Sequence, residues 1–159
     1  MNNKTKIYFI ENSFNYNGND LNNEKIGGSE KTLINITNSL SLNENLIIKV
    51  FNNTDKPNLI NRVHWYNTNQ INQSDKPDFV IAMSDANLFD KINSKNNYLW
   101  SHSIQTIEKF IRKKQLIPFL KYKPVMILEG EYHYNNRNFF TSFYGKKILK
   151  IAPDFDFIK

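Results

Sequence analysis

A three-layer α/β sandwich on a mostly parallel sheet is the fold class that this sequence predicts. Three observations predict it. Short apolar runs with the composition of strands recur along the chain from residue 6 to residue 152. Strand and helix are expected to alternate from end to end, so that helical stretches join successive strands by right-handed crossovers that leave them parallel. One run, Asp78-Phe79-Val80-Ile81-Ala82-Met83, is apolar almost throughout, the pattern of a strand covered by helices on both faces.

Residues 6–10, Lys6-Ile7-Tyr8-Phe9-Ile10, form the first strand, followed by a polar loop over 11–26. A helix then runs to about residue 42, with Leu33, Ile36 and Leu40 at spacings of three and four. Residues 46–51 are rich in Ile and Val and end at the turn-forming Asn52-Asn53-Thr54-Asp55. Further strands are expected at 63–66, 78–83, 98–100, 125–128 and 148–152. A helix starts near residue 106, and Pro118 is expected to break or kink it. Nothing in the sequence repeats, and no linker divides it, so residues 1–159 are expected to form one domain.

The bulk numbers narrow the partners. Hydrophobic residues make up 40% of the chain and aromatic ones 14%, enough for a packed core. The mean hydropathy of -0.59 comes largely from asparagine, roughly one position in six, as A/T-rich coding produces. A formal net charge of +6 favours anionic partners without choosing among nucleic acid, lipid headgroups and phosphorylated small molecules. There is no cysteine, which rules out disulfides and thiolate metal sites. The chain opens on a strand without the apolar core of a signal peptide, and no run approaches the roughly 20 apolar residues of a membrane span. The expected location is the cytoplasm, with the inner membrane face as a peripheral site.

Ligands of a parallel sheet collect at the carboxyl ends of its strands. The residues there are Glu11-Asn12-Ser13, Ser84-Asp85-Ala86, Ser101-His102-Ser103, Glu129-Gly130-Glu131 and Pro153-Asp154. The corner Gly27-Gly28-Ser29-Glu30 opens the first helix. Its glycines let backbone approach a ligand closely, and the free N–H groups of a helix start attract an anion, most often phosphate. The plainer reading is a tight turn in which Ser29 is only the N-cap. No G-x-G-x-x-G follows the first strand directly, and no phosphate-loop motif G-x-x-x-x-G-K-[ST] is present.

Three features occur together in order. A long loop leads from the first strand to Gly27-Gly28-Ser29-Glu30. Tyr98-Leu99-Trp100-Ser101-His102 delivers a histidine at a strand end. Val125-Met126-Ile127-Leu128-Glu129-Gly130-Glu131-Tyr132-His133 is followed by a helix and Lys146-Lys147-Ile148-Leu149-Lys150-Ile151-Ala152-Pro153. This order resembles the amino-terminal, acceptor-side domain of GT-B glycosyltransferases, particularly glycosyltransferase family 4, over nearly the whole chain. Gly130 stands where that family commonly has Ser, and Asp154-Phe155-Asp156 replaces its usual Asn-Gly-Ile/Val-Asp.

The resemblance implies a Rossmann-like half of a GT-B fold and retaining transfer from a nucleotide sugar to a glycan or lipid acceptor, with no metal or other cofactor. It implies that Gly27 and Gly28 approach the donor diphosphate or the acceptor, their amides stabilising charge on the leaving phosphate. His102 would hydrogen-bond the transferred sugar or orient the acceptor; read without the resemblance, it is a strand-end histidine satisfied by backbone. Ser29, Glu30, Ser84, Ser101 and Glu131 complete the expected binding residues, with Glu30 and Glu131 more structural than catalytic. The family's donor-binding domain, with its paired glutamates, has no counterpart here, so a separate chain could supply it and the domain alone is expected to transfer nothing. His64 and His133 have no partner at metal-ligand spacing.

Other readings remain. A non-catalytic module binding a phosphorylated sugar or a protein partner would share the Gly-Gly corner. Residues 107–123 interleave Lys109, Arg112, Lys113, Lys114, Lys121 and Lys123 with Ile107, Phe110, Ile111, Ile117, Phe119 and Leu120. Such a stretch either docks on anionic lipid or is a solvated helix with its apolar face on the sheet. Nucleic acid is disfavoured: aromatics gather near Arg137 and Lys146, but no RNA- or DNA-binding signature accompanies them.

Overall fold

The computed structural model describes residues 4–144 and 148–151. Eight strands form one sheet: β1 (Thr5–Ile10), β2 (Leu46–Asn52), β3 (Asn58–Ile60), β4 (Val63–Asn67), β5 (Phe79–Met83), β6 (Asn96–Ser101), β7 (Val125–Glu129) and β8 (Ile148–Ile151). Their order is β3-β4-β2-β1-β5-β6-β7-β8. Every neighbouring pair is parallel except β3 and β4. The chain winds outward one way from β1 through β2 and β4, then the other way through β5 to β8. The reversal falls between β1 and β5, as in Rossmann-like sheets.

Among the described residues, five α-helices flank the sheet: α1 (Gly28–Ser41), α2 (Ile107–Arg112), α3 (Leu116–Tyr122), α4 (Gly130–Asn135) and α5 (Phe139–Tyr144). Strand alternation sends successive side chains to opposite faces. Phe9, Ile48, Val50, Val63 and Trp65 therefore meet Leu33 and Ile34 of α1 on one face. Tyr8, Ile10, Val80, Ala82, Leu99 and Met126 meet Phe110, Phe119 and the partly buried Phe140 on the other. In α1 the buried stripe is Leu33, Ile34, Thr37 and Ser41, while Ile36 and Leu40 flank it half-buried. Thr37 is tolerated there because its hydroxyl donates to the carbonyl of Leu33 at 2.8 Å.

Several expectations are corrected. Helices do not separate all the strands: no α-helix stands between β2 and β6, only 3-10 turns at Thr68–Gln70 and Ala86–Asp90. Asn67 and Asp85 cap them with their side chains. Such residues compete for backbone groups and favour turns over continued helix. The polar loop over 11–26 contains a third such turn, Gly18–Asn22, closed by a capping box of Asn17 and Asp20. Strand β3 was not expected. It returns to β4 through Asn61 and Arg62, both at positive φ (49° and 65°), the geometry of a two-residue hairpin turn.

The helix beginning at residue 107 does break, but before Pro118. Lys114 takes φ 56° and Gln115 restarts the chain as α3. Pro118 then sits in the first turn of α3, where its missing N–H leaves no helical bond unmade. Ala152, Pro153 and Asp154-Phe155-Asp156 lie outside the described residues, as do Lys146 and Lys147.

Candidate functional site

The strand-order reversal leaves a crevice at the carboxyl ends of β1, β5 and β6, and there lies a pocket of about 290 Å³. Its walls carry the carboxylates of Glu11, Glu30 and Asp85, the hydroxyls of Ser13, Ser29 and Ser84, and His102 and Lys113. Four sequence-predicted residues thus converge: Ser29, Glu30, Ser84 and His102.

Gly27, with ordinary φ and ψ (-80°, 178°), is the N-cap of α1 and lends no side-chain cap. Ser29 is therefore not the N-cap but lies inside the helix, donating its hydroxyl to Glu30 Oε2 at 2.9 Å. Glu30, in the first turn and only 8% exposed, folds back over the helix start: its Oε2 lies 2.8 Å from where a Cβ on Gly27 would stand. The anion that this helix end attracts is first of all its own carboxylate. A Cβ on Gly28 would meet nothing within 4 Å, so that residue's backbone faces open space.

The two glycines should therefore answer differently to alanine. Gly28→Ala, free of contacts, is expected to stabilise the helix by about 0.5 kcal/mol. Gly27→Ala must push the Glu30 carboxylate aside and is expected to destabilise by up to about 1 kcal/mol, offset in part by lost chain entropy. Calorimetric unfolding of both variants checks this; shifts of the same sign would contradict it.

His102 leaves the end of β6 with its ring beside that of Trp100, centroids 4.8 Å apart. Its Nδ1 lies 2.5 Å from Glu129 Oε1, which also accepts from Trp100 Nε1 at 3.1 Å. Burial opposes ionisation of Glu129, but the His102 hydrogen bond and charge, with the Trp100 indole, hold its carboxyl below the ordinary range. A carboxylate on Nδ1 orients the imidazole and leaves Nε2 as the working atom. That Nε2 is buried and has no hydrogen-bond partner among the described residues. Ser84, at φ 55°, binds the ends of β5 and β6 together through its N–H to the Trp100 carbonyl (2.8 Å).

Glu11, 5% exposed, accepts from Ser13 Oγ at 2.8 Å. Burial first, and then the charge of Glu30, push its carboxyl above the usual range. The wall thus offers His102, held from behind by Glu129, and the Glu11 carboxyl, biased towards its protonated form. Together they can accept and return hydrogen bonds from hydroxyl groups.

Gly27 and Gly28 are exposed beside the pocket and do not line it. Ser101 is fully buried, its hydroxyl donating to the Ser103 carbonyl at 2.5 Å and accepting from Gln105 Nε2, so it holds the loop and lies off the pocket. Glu131 is exposed on α4, where it accepts from Asn135. Gly130 takes φ 75°, a left-handed conformation that joins β7 directly to α4 and strains any residue with a Cβ. Sequence reasoning places Glu11, Asp85 and Glu129 at strand ends without choosing them, and Lys113 carries no signal beyond a run of cations. His64 stacks on Tyr66 at 6.1 Å. No cluster of three or more His, Cys, Asp or Glu suited to a metal occurs among the described residues. No described helix is long and apolar enough to cross a membrane. In comparisons with protein-family models, curated proteins and solved structures, the chain matches none.

Proposed function

We propose that this domain is the acceptor-side half of a GT-B, family 4-like glycosyltransferase, and that the pocket at β1, β5 and β6 receives the acceptor sugar. The observation that supports this is the make-up of the wall. Three carboxylates and three serine hydroxyls face only two groups able to carry positive charge, Lys113 and His102. A neutral polyol donates its hydroxyls to such a wall, whereas a phosphate would meet like charge inside it. The donor diphosphate belongs instead at the open backbone of Gly28, on the rim. His102 orients the acceptor from the pocket wall while Glu129 holds the ring, and a small turn of the ring uncovers the buried Nε2 for a sugar hydroxyl. In this reading the donor half, in the same polypeptide or a separate chain, supplies the nucleotide-sugar grip.

Saturation-transfer NMR with hexoses, disaccharides and nucleotide sugars tests the reading. Free saccharides are expected to bind, and His102→Ala to weaken binding about tenfold, the loss of one good hydrogen bond. Binding untouched by His102→Ala, or no saccharide binding, sinks it. Binding only of phosphorylated sugars, competed by inorganic phosphate, favours the non-catalytic module, for which Lys113 in the pocket wall is the supporting observation.

A further inference from the structure

We propose that the outer surface of α2 and α3 docks on the anionic face of a lipid bilayer and brings the pocket to a lipid-linked acceptor. The second half of that statement rests on the acceptor reading above; the first does not. Phe110 and Phe119 point inward, fully buried, so both helices are already anchored by one face. Around the rest of these helices Ile107, Ile111, Ile117 and Leu120 remain exposed at 43%, 61%, 76% and 36%. Single exposed apolar residues are ordinary, but four within two adjoining short helices are not.

Charge identifies what covers them. Arg112, Lys113, Lys114 and Lys123 are exposed and have no ion-pair partner among the described residues. Lys121, by contrast, pairs with Asp90 at 2.9 Å, and Lys109 donates to Ser103 Oγ. Glu108 is the single acidic residue of the two helices. Aliphatic side chains set among free cations match an anionic interface, where the chains enter the acyl boundary and the cations meet headgroup phosphates. Single-stranded nucleic acid would want flat aromatic rings for stacking, and aliphatic chains offer none. Lys113 also lines the pocket, and its carbonyl accepts from Asn87, so the docking face meets the pocket rim.

Vesicle flotation of the full chain tests the surface. The protein is expected to float with phosphatidylcholine vesicles carrying about 30% phosphatidylglycerol and not with phosphatidylcholine alone. The exposed pair Ile111→Asp with Ile117→Asp, and separately Arg112→Glu with Lys114→Glu, should each lower partitioning about tenfold or more, with unchanged circular dichroism. No flotation, or flotation that ignores the isoleucine changes, overturns the proposal. So does binding to poly(U) that shows the same charge dependence while vesicles fail to compete. The saccharide titration without vesicles separates the two readings. Saccharide binding without flotation removes only the docking, and flotation without saccharide binding removes only the acceptor reading.

Discussion

Phe110→Ala is expected to destabilise the domain by about 3–5 kcal/mol, the usual cost of a large ring lost from a closed core. Phe110 is fully buried and meets Phe119 edge-on at 5.3 Å and Phe140 at 6.4 Å. Helix α2 has only six residues and cannot persist by its own hydrogen bonds, so this side chain is what holds it to the sheet. The damage reaches the pocket through Gln115, buried at the bend after α2, which hydrogen-bonds the Ala86 N–H (3.1 Å) and the Ser84 carbonyl (3.4 Å). Against a typical total stability of about 5–15 kcal/mol, such a loss is a large share. Ile111→Ala, one residue along and 61% exposed, should stay within about 0.5 kcal/mol. Urea unfolding of the two variants decides it; similar midpoints would mean that α2 is not anchored through Phe110.

Glu129→Gln is expected to cost about 1–3 kcal/mol near neutral pH, the range for removing a charged partner from a partly buried hydrogen bond. A glutamine oxygen can still accept one bond, but not with the strength that a carboxylate brings to both Trp100 and His102. The sign with pH follows from the depressed carboxyl of Glu129. A group whose folded pKa lies below its unfolded value contributes stability above the unfolded value and loses it as pH falls through the folded one. Wild type should therefore lose this contribution in acid while the variant, already without it, changes less. The gap between their unfolding free energies should narrow steadily below the ordinary carboxylate range. A gap constant from pH 7 to pH 3 would show that Glu129 is not ionised against His102. Saccharide binding should weaken in the same variant at neutral pH, because the imidazole loses the partner that orients it.

The partition between what was legible and what was not follows the range of the physics. Periodicity is local, and it located every parallel strand to within about two residues, along with the start of α1 at the paired glycines. The start of α2 near residue 106 was also legible, and Thr106 caps it, whereas the N-cap read at Ser29 falls on Gly27. Local reading overreached where asparagine-rich segments form 3-10 turns in place of crossover helices, and it saw no strand at Asn58–Ile60, too short to show a pattern.

The site shows the same division at closer range. That Ser84, His102 and the glutamates after β7 lie at strand ends could be read from the chain, since strand ends are set by sequence. Which glutamate meets His102 could not. The parallel register pairs Trp100 with Ile127 and Ser101 with Leu128, and one step further brings His102 level with Glu129, leaving Glu131 on the far side of a helix turn. Likewise the glycine corner was evident in four letters, but the carboxylate of Glu30 lying across it was not. By itself the sequence determined the parallel strands, the first helix and the chemistry available at each strand end. Only the tertiary structure decided which of those groups touch, because register and side-chain closure depend on contacts between residues far apart in the chain, and local periodicity carries no record of them.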